Sequence, residues 1–177
     1  MAMRSQGLSV SLSSRGVREV VKMMSAFPKD VQRRVIRSAV RGAANPIWKT
    51  ARQIVPTESG SLKKSYGVKR GKDMSQKEKR QQKERRKSGI ETVFVGARQG
   101  FQRFWPNSAG NLRMRNPVYY AHLVEKGTKF MTGSYPLTRG SQRTGEIRAR
   151  FIKEARKGIE REAKKSHKKQ RAKRLGK

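Results

Sequence analysis

The feature that most restricts the fold is a long apolar stripe. Val31, Val35, Ile36, Ala39, Val40, Ala43, Ile47, Trp48, Ala51 and Ile54 recur at steps of three and four residues. That spacing puts them on one face of a helix, and it is the longest periodic signal in the chain. Asp30 lies in the first turn, where its charge suits the helix dipole. Pro46 falls inside the stripe. A proline there loses one hydrogen bond and crowds the carbonyl four residues back. That residue is Gly42, which can yield. The sequence therefore predicts one long kinked helix ending at Pro56.

The flanking segments are shorter. Residues 7–13 alternate apolar and polar, a strand signal. Ser14 can cap a helix with Val17, Val20, Val21 and Met24 on one face, closed by Pro28. Thr57–Gly60 reads as a turn and Leu62–Lys69 as a strand. Residues 70–88 hold nine Lys/Arg and three acids, with Met74 the only large apolar side chain. Such a segment cannot bury a face, so it is a long hairpin loop or an exposed helical arm. Residues 91–98 form a second strand, with Gly96 a possible bulge. Residues 99–117 read as an irregular loop anchored by Phe101, Phe104 and Trp105, which either cover the core or anchor an interface. A helix follows from Val118 to Lys126, stopped by Gly127, and then a loop marked by Pro136 and Gly140. Ile147, Phe151, Ile152, Ala155 and Ile159 mark a last amphipathic helix. Beyond Arg161 lysines take over. The expected architecture is α+β: a small antiparallel β-sheet packed against the long kinked helix and the C-terminal helix. It forms one domain over 1–160, with a basic insertion at 70–88 and a basic extension at 161–177.

Charge then narrows the function. The chain carries 45 Lys+Arg against 12 Asp+Glu, a formal net charge of +33. That much like charge repels itself unless an acidic partner shares the space. There is no cysteine, so disulfides and thiolate chemistry are excluded. No apolar run approaches the roughly 18 residues of a membrane span, and no signal peptide or membrane association is expected. The two histidines, His122 and His167, stand apart from any carboxylate cluster. His122 and Glu125 share a helix face but lack a third ligand. No phosphate-cradling loop is present either. Neither an enzyme, a cofactor nor a metal site is expected.

The basic candidates are Lys79, Arg80, Arg85 and Arg86 in the insertion, and Lys164, Lys165, Lys168, Lys169, Arg171, Lys173 and Arg174 in the extension. They are not interleaved with aromatics, so stacking on single-stranded nucleic acid is not indicated. They face either a solvated surface or an acidic partner, DNA or protein.

Two stretches in order carry a resemblance. The first is the long helix running into PTESGSLKKSYGVK. The second is TVFVG followed by YYAHLVEKGT, a proline loop and a last helix. Over roughly residues 15 to 165 this resembles the tailed-bacteriophage neck and tail-completion family, the head–tail joining components. The positions that match are Pro56, Gly60, Leu62 and Ser65, then Val95 and Gly96, then Tyr120, Ala121, Glu125, Gly127 and Thr128, and Pro136. The chain departs from the family in reading PLTRGS from Pro136, where the family has Phe next and a further Pro-Ala, and in its long basic insertion. The resemblance implies an α+β subunit of the virion, made in the host cytoplasm. It implies a homo-oligomeric ring, a hexamer or a multiple of one, between head-connector and tail proteins around double-stranded phage DNA. Tyr119, Tyr120, Leu123 and Val124 on the short helix, with Phe104 and Trp105, would then supply apolar contact area. A basic ribosomal or nucleoid-like nucleic-acid-binding protein is the alternative.

Glu125 is the odd residue in this picture. It lies near the C-terminal end of its helix, an unfavourable place for an anion. A Lys or Arg, in the same subunit or across a ring interface, would compensate. So would a hydrogen bond to backbone, for which the Pro56–Leu62 turn is the expected donor.

Overall fold

The apolar stripe becomes two helices in succession, α2 (Lys29–Ala43) and α3 (Asn45–Ile54). Between them Ala44 keeps right-handed helical dihedrals, φ −74° and ψ −13°, and its N–H still donates to the Val40 carbonyl at 3.2 Å. Pro46 occupies the first turn of α3, where its missing N–H leaves no intrahelical bond unmade. One kinked helix rather than two separate ones is the expectation from sequence; the chain instead forms two, parted at Ala44, two residues before Pro46, where the backbone stays right-handed helical. The computed structural model describes residues 15–55, 60–98, 103–106, 110 and 112–174. The expected strand 7–13, Ser14, Pro56, turn residues 57–59 and Phe101 lie outside them. So do the side chains of Phe104, Trp105, Lys169, Lys173 and Arg174.

The interruption separates two apolar cores. On one side, α1 (Arg15–Ser25), α2 and α8 (Thr144–Arg174) bury Val20, Met24, Val35, Ala39 and Ala155, with Phe151, Ile152 and Ile159 packed around them. On the other, α3 meets α4 (Ser61–Ser65), the strands β1 (Tyr66–Val68) and β2 (Val95–Ala97), and α6 (Pro117–Lys126) around Ala51, Val55, Leu62, Tyr66, Ala97 and Val124. One continuous path therefore carries its stripe from an all-helical core into a mixed one. Each fully buried aliphatic side chain contributes about 1.5–3 kcal/mol, so both halves depend on α2 and α3 staying in register.

The structure is α+β and mostly helical, with short strands. β1 and β2 pair antiparallel, with Gly67 opposite Gly96. Lys69 N–H donating to Phe94 O and Arg98 N–H donating to Ser65 O extend that ladder at both ends. Two expectations are corrected here. Leu62–Lys69 is not one strand: Leu62 and Ser65 point inward three residues apart, on a single helical turn, and the strand begins at Tyr66. Residues 99–117 contain a hairpin, with β3 (Arg103–Pro106) paired to β4 (Leu112–Arg115). Pro106 closes that ladder opposite Leu112, an end position where a missing donor is tolerated.

The proline loop is also helical. Pro136–Ser141 forms α7, which packs on α3. A Cβ on Gly140 would lie 2.6 Å from the Ile47 carbonyl oxygen, so only glycine lets the two backbones approach this closely. The basic insertion takes the helical alternative as α5 (Gln76–Lys87), which buries no residue of its own. Met74, just before it, is buried and ties its root to the body. Helix α8 runs 31 residues, crossing residue 160 without a break.

Candidate partner-binding surfaces

Helix α6 is positioned at both ends by local chemistry. The Asn116 side chain accepts from Val118 N–H at 3.1 Å, and Pro117 fits the first turn. Gly127 ends the helix at φ 85°, ψ 179°. It then opens a small hairpin, β5 (Gly127–Thr128) paired with β6 (Met131–Thr132), whose turn is held by Phe130 N–H donating to Thr128 Oγ1 at 3.2 Å.

Glu125 is satisfied by the next helix. Its carboxylate accepts from Leu137 N–H at 3.0 Å, Thr138 N–H at 3.0 Å and the Thr138 hydroxyl at 2.8 Å. These are the leading amides of α7, where an anion is favoured. Of the two expected compensations, backbone hydrogen bonding is the one found. The donors are Leu137 and Thr138 and not the Pro56–Leu62 turn. No ion pair involves Glu125 among the described residues. The Tyr66 hydroxyl, buried nearby, has its pKa pushed far up by burial and, secondarily, by the Glu125 charge.

The motif pieces separated in sequence meet here. Leu62 packs in the mixed core with Val124, and Tyr120 and Ala121 pack against it. Ser65 is fully buried, its hydroxyl donating to Leu62 O at 2.7 Å. Gly60 precedes α4 with φ 62°, Val95 and Gly96 lie in β2, and Pro136 is buried at the head of α7. Tyr119 and Tyr120 divide: Tyr120 faces the core, while Tyr119 is 77% exposed.

Tyr119 is not alone. Leu123, one turn further along α6, is also exposed. Phe130, 92% exposed, and Met131 follow in the β5–β6 hairpin, then Tyr135. Tyr135 has φ 49°, an uncommon conformation for a bulky residue. Of these, the sequence points to Tyr119 and Leu123 and gives no sign of Phe130, Met131 or Tyr135. α6 and its hairpin thus carry four large apolar side chains into solvent, with Tyr135 a fifth at the head of α7, on a chain otherwise dominated by charge.

The basic elements are held differently. α5 starts with a capping box: Ser75 Oγ accepts from Glu78 N–H, and Glu78 accepts from Ser75 N–H. Lys69 pairs with Glu78 at 2.8 Å, and Gln82 donates to Thr92 O at 3.0 Å. Glu91, with only 8% of its side chain exposed, joins α2 to α5 through Arg37 at 2.8 Å and Arg86 at 3.7 Å. Lys79, Arg80 and Arg85 are exposed. On α8, Lys164, Lys165, Lys168 and Arg171 are exposed, and Lys165 pairs with Glu162 at 2.9 Å.

The hydrogen bond from Arg37 holds the Glu91 carboxyl below the usual carboxylate range, and the nearby cations add to it. Released Glu91 therefore binds a proton more readily than docked Glu91. The docking it provides is complete above about pH 4.3, the ordinary glutamate value, and is lost as pH falls through the depressed value. Glu91→Gln is expected to raise amide exchange in α5 about tenfold at pH 7, the equivalent of ~1.4 kcal/mol for a charge-assisted bond. The gap to wild type should close in strong acid. Hydrogen exchange followed by mass spectrometry reads both.

Among the described residues, no group of acidic or histidine side chains could hold a metal ion, and no helix is long and apolar enough to cross a membrane. The model of the HK97-gp10-like family, described as "Bacteriophage HK97-gp10, putative tail-component", matches residues 18–127, more than half of the chain. The chain belongs to the HK97-gp10-like family. It is thus a structural phage protein of the virion. The family match runs from α1 through Gly127, so it takes in Glu125 but not the α7 amides that Glu125 caps. The Phe130 hairpin and all of α8 also lie beyond it. No curated protein and no solved structure matches the chain.

Proposed function

We propose that this HK97-gp10-like protein forms a ring in the phage neck, joining the head connector to the tail around the DNA channel. The observation that supports it is the set of exposed apolar side chains on α6 and the β5–β6 hairpin. Copies of +33 repel one another, so a copy-to-copy contact must be apolar at its centre, with the cations left to other partners. Phe130 and Tyr119 are the anchors of that contact, and residues 1–160 are the ring-forming domain. The projecting end of α8, from Arg161, is an arm that docks on a neighbour, with α5 as a second. A conduit for moving DNA is poorly served by a cationic lining, because each neutralised phosphate strengthens binding. Most of the basic surface therefore faces acidic proteins, and a minority touches DNA.

Sedimentation velocity tests the contact. The wild-type chain is expected to self-associate. The Tyr119→Asp, Phe130→Asp double variant should sediment as a monomer with an unchanged melting temperature, since both side chains are exposed. Self-association equal to wild type would remove these residues from the interface. A monomeric wild-type protein whose DNA affinity falls steeply with salt would favour the nucleic-acid-binding alternative.

A further inference from the structure

A cleft of about 710 Å³ lies where the junction of α2 and α3 faces β1 and the loop after it. Its lining brings together Arg41, Arg52, Arg70, Lys72 and Arg98, against Asp73 and Glu154. Arg52 is fixed: it donates to Tyr66 O at 3.0 Å and Lys64 O at 3.2 Å, and its guanidinium lies 4.4 Å from the Trp48 ring centre. Trp48 is fixed in turn by donating to Asn45 Oδ1 at 3.0 Å. By contrast, the side chains of Arg41, Arg70 and Lys72 have no hydrogen bond or ion pair among the described residues. Three unpaired cations thus surround a concave space with a rigid wall.

The backbone adds a second feature. Ser65 and Arg98, and Lys69 and Phe94, are joined by hydrogen bonds across the β1–β2 ladder. In an antiparallel pair such bonds alternate along the strand. Gly67 therefore bonds to Gly96, while the N–H and C=O of Val68 point away from β2. Val68 lines the cleft, so one N–H and one C=O of the outer edge of β1 face it, while those of Tyr66 are taken up by Leu62 O and Arg52.

We propose that this cleft binds an extended acidic segment of an adjoining protein. Its backbone would pair along Val68, and alternate carboxylates would reach Arg41, Arg70 and Lys72. The occupant is not a second copy of this chain, whose 12 acids are outnumbered by 45 basic residues. Duplex DNA fits less well. It is stiff over about 50 nm, presents its phosphates on a convex surface, and has no peptide backbone to pair with Val68. The inference deepens the proposed function by giving the chemistry of one neighbour.

Fluorescence anisotropy with two labelled probes tests it at fixed ionic strength. One is a peptide of alternating glutamate and valine; the other is a short DNA duplex. Two double variants of the full chain carry the same charge change: Arg41→Glu with Arg70→Glu in the cleft, and Arg80→Glu with Lys83→Glu on α5. All four side chains are exposed, so both proteins should fold. The cleft variant is expected to bind the peptide about tenfold more weakly than the α5 variant does, while the two lose duplex affinity alike. Equal loss of peptide binding in both would overturn the site. Duplex affinity that tracks the cleft would overturn the ligand class. Running the peptide assay also on the Tyr119→Asp, Phe130→Asp protein separates the two readings, because cleft binding does not need a ring.

Discussion

Glu125→Ala is expected to lower stability by about 2–4 kcal/mol. Three hydrogen bonds end on this carboxylate, two of them from the leading amides of α7. A bond to a charged group contributes ~1.5–3 kcal/mol, and loss of a cap costs ~0.5–2 kcal/mol. The three are not additive because they share one acceptor. The loss has a defined address: α7 should loosen from α3 while the all-helical core stays closed. Glu125→Gln keeps an acceptor for one or two of the donors and should lose about half as much. Urea denaturation gives the totals, and exchange at Leu137 and Thr138 gives the address. A Glu125→Ala protein as stable as wild type would mean that α7 is held by packing alone.

Gly127→Ala should do comparable damage through the backbone. At φ 85°, ψ 179° this residue occupies a region open essentially only to glycine. A Cβ there would also stand 2.5 Å from Gly133 N and 2.6 Å from Met131 O. Both are main-chain atoms of the paired strand or its continuation, so neither can rotate aside. Strain of ~1–3 kcal/mol adds to overpacking of ~1–3 kcal/mol, and the β5–β6 hairpin is expected to open. Because that hairpin presents Phe130 and Met131, the variant should lose self-association even where the body remains folded. Circular dichroism and sedimentation on the same sample separate the two effects. A Gly127→Ala protein that still self-associates like wild type would uncouple the hairpin from the interface.

What could be read in the sequence followed from local rules. Helix α6 was legible because apolar residues, Lys126 and Gly127 all mark the same end. The stripe of α2 and α3 was legible from its period, and its interruption, to within two residues, from Pro46. Apolar content alone left two elements undecided and one misplaced. Helix α8 continues past Ile159 because Lys, Arg, Ala, Gln and Glu favour helix without any face to bury. The Ser75–Glu78 capping box, present in the sequence, could have decided α5 in favour of helix. The Leu62–Lys69 segment alternates like a strand, yet one turn of helix buries Leu62 and Ser65 together.

The sites were less legible than the elements, for a physical reason. The partner of Glu125 lies twelve and thirteen residues ahead, on a helix whose existence depends partly on Glu125. The cleft takes Arg41 and Trp48 from α2 and α3, Val68 from β1, and Arg70 and Lys72 from the loop beyond. No spacing rule connects them; only the folded backbone does. The apolar unit was half visible, since Tyr119 stood out while Phe130 sat among lysine, threonine and glycine.

An averaged cryo-electron-microscopy image of the phage neck tests the ring most directly. Copies of this chain are expected to surround the DNA axis, with Tyr119 of α6 and Phe130 of the hairpin buried between neighbours. Copies that touch DNA or other proteins but never one another, with Phe130 still in solvent, would contradict it.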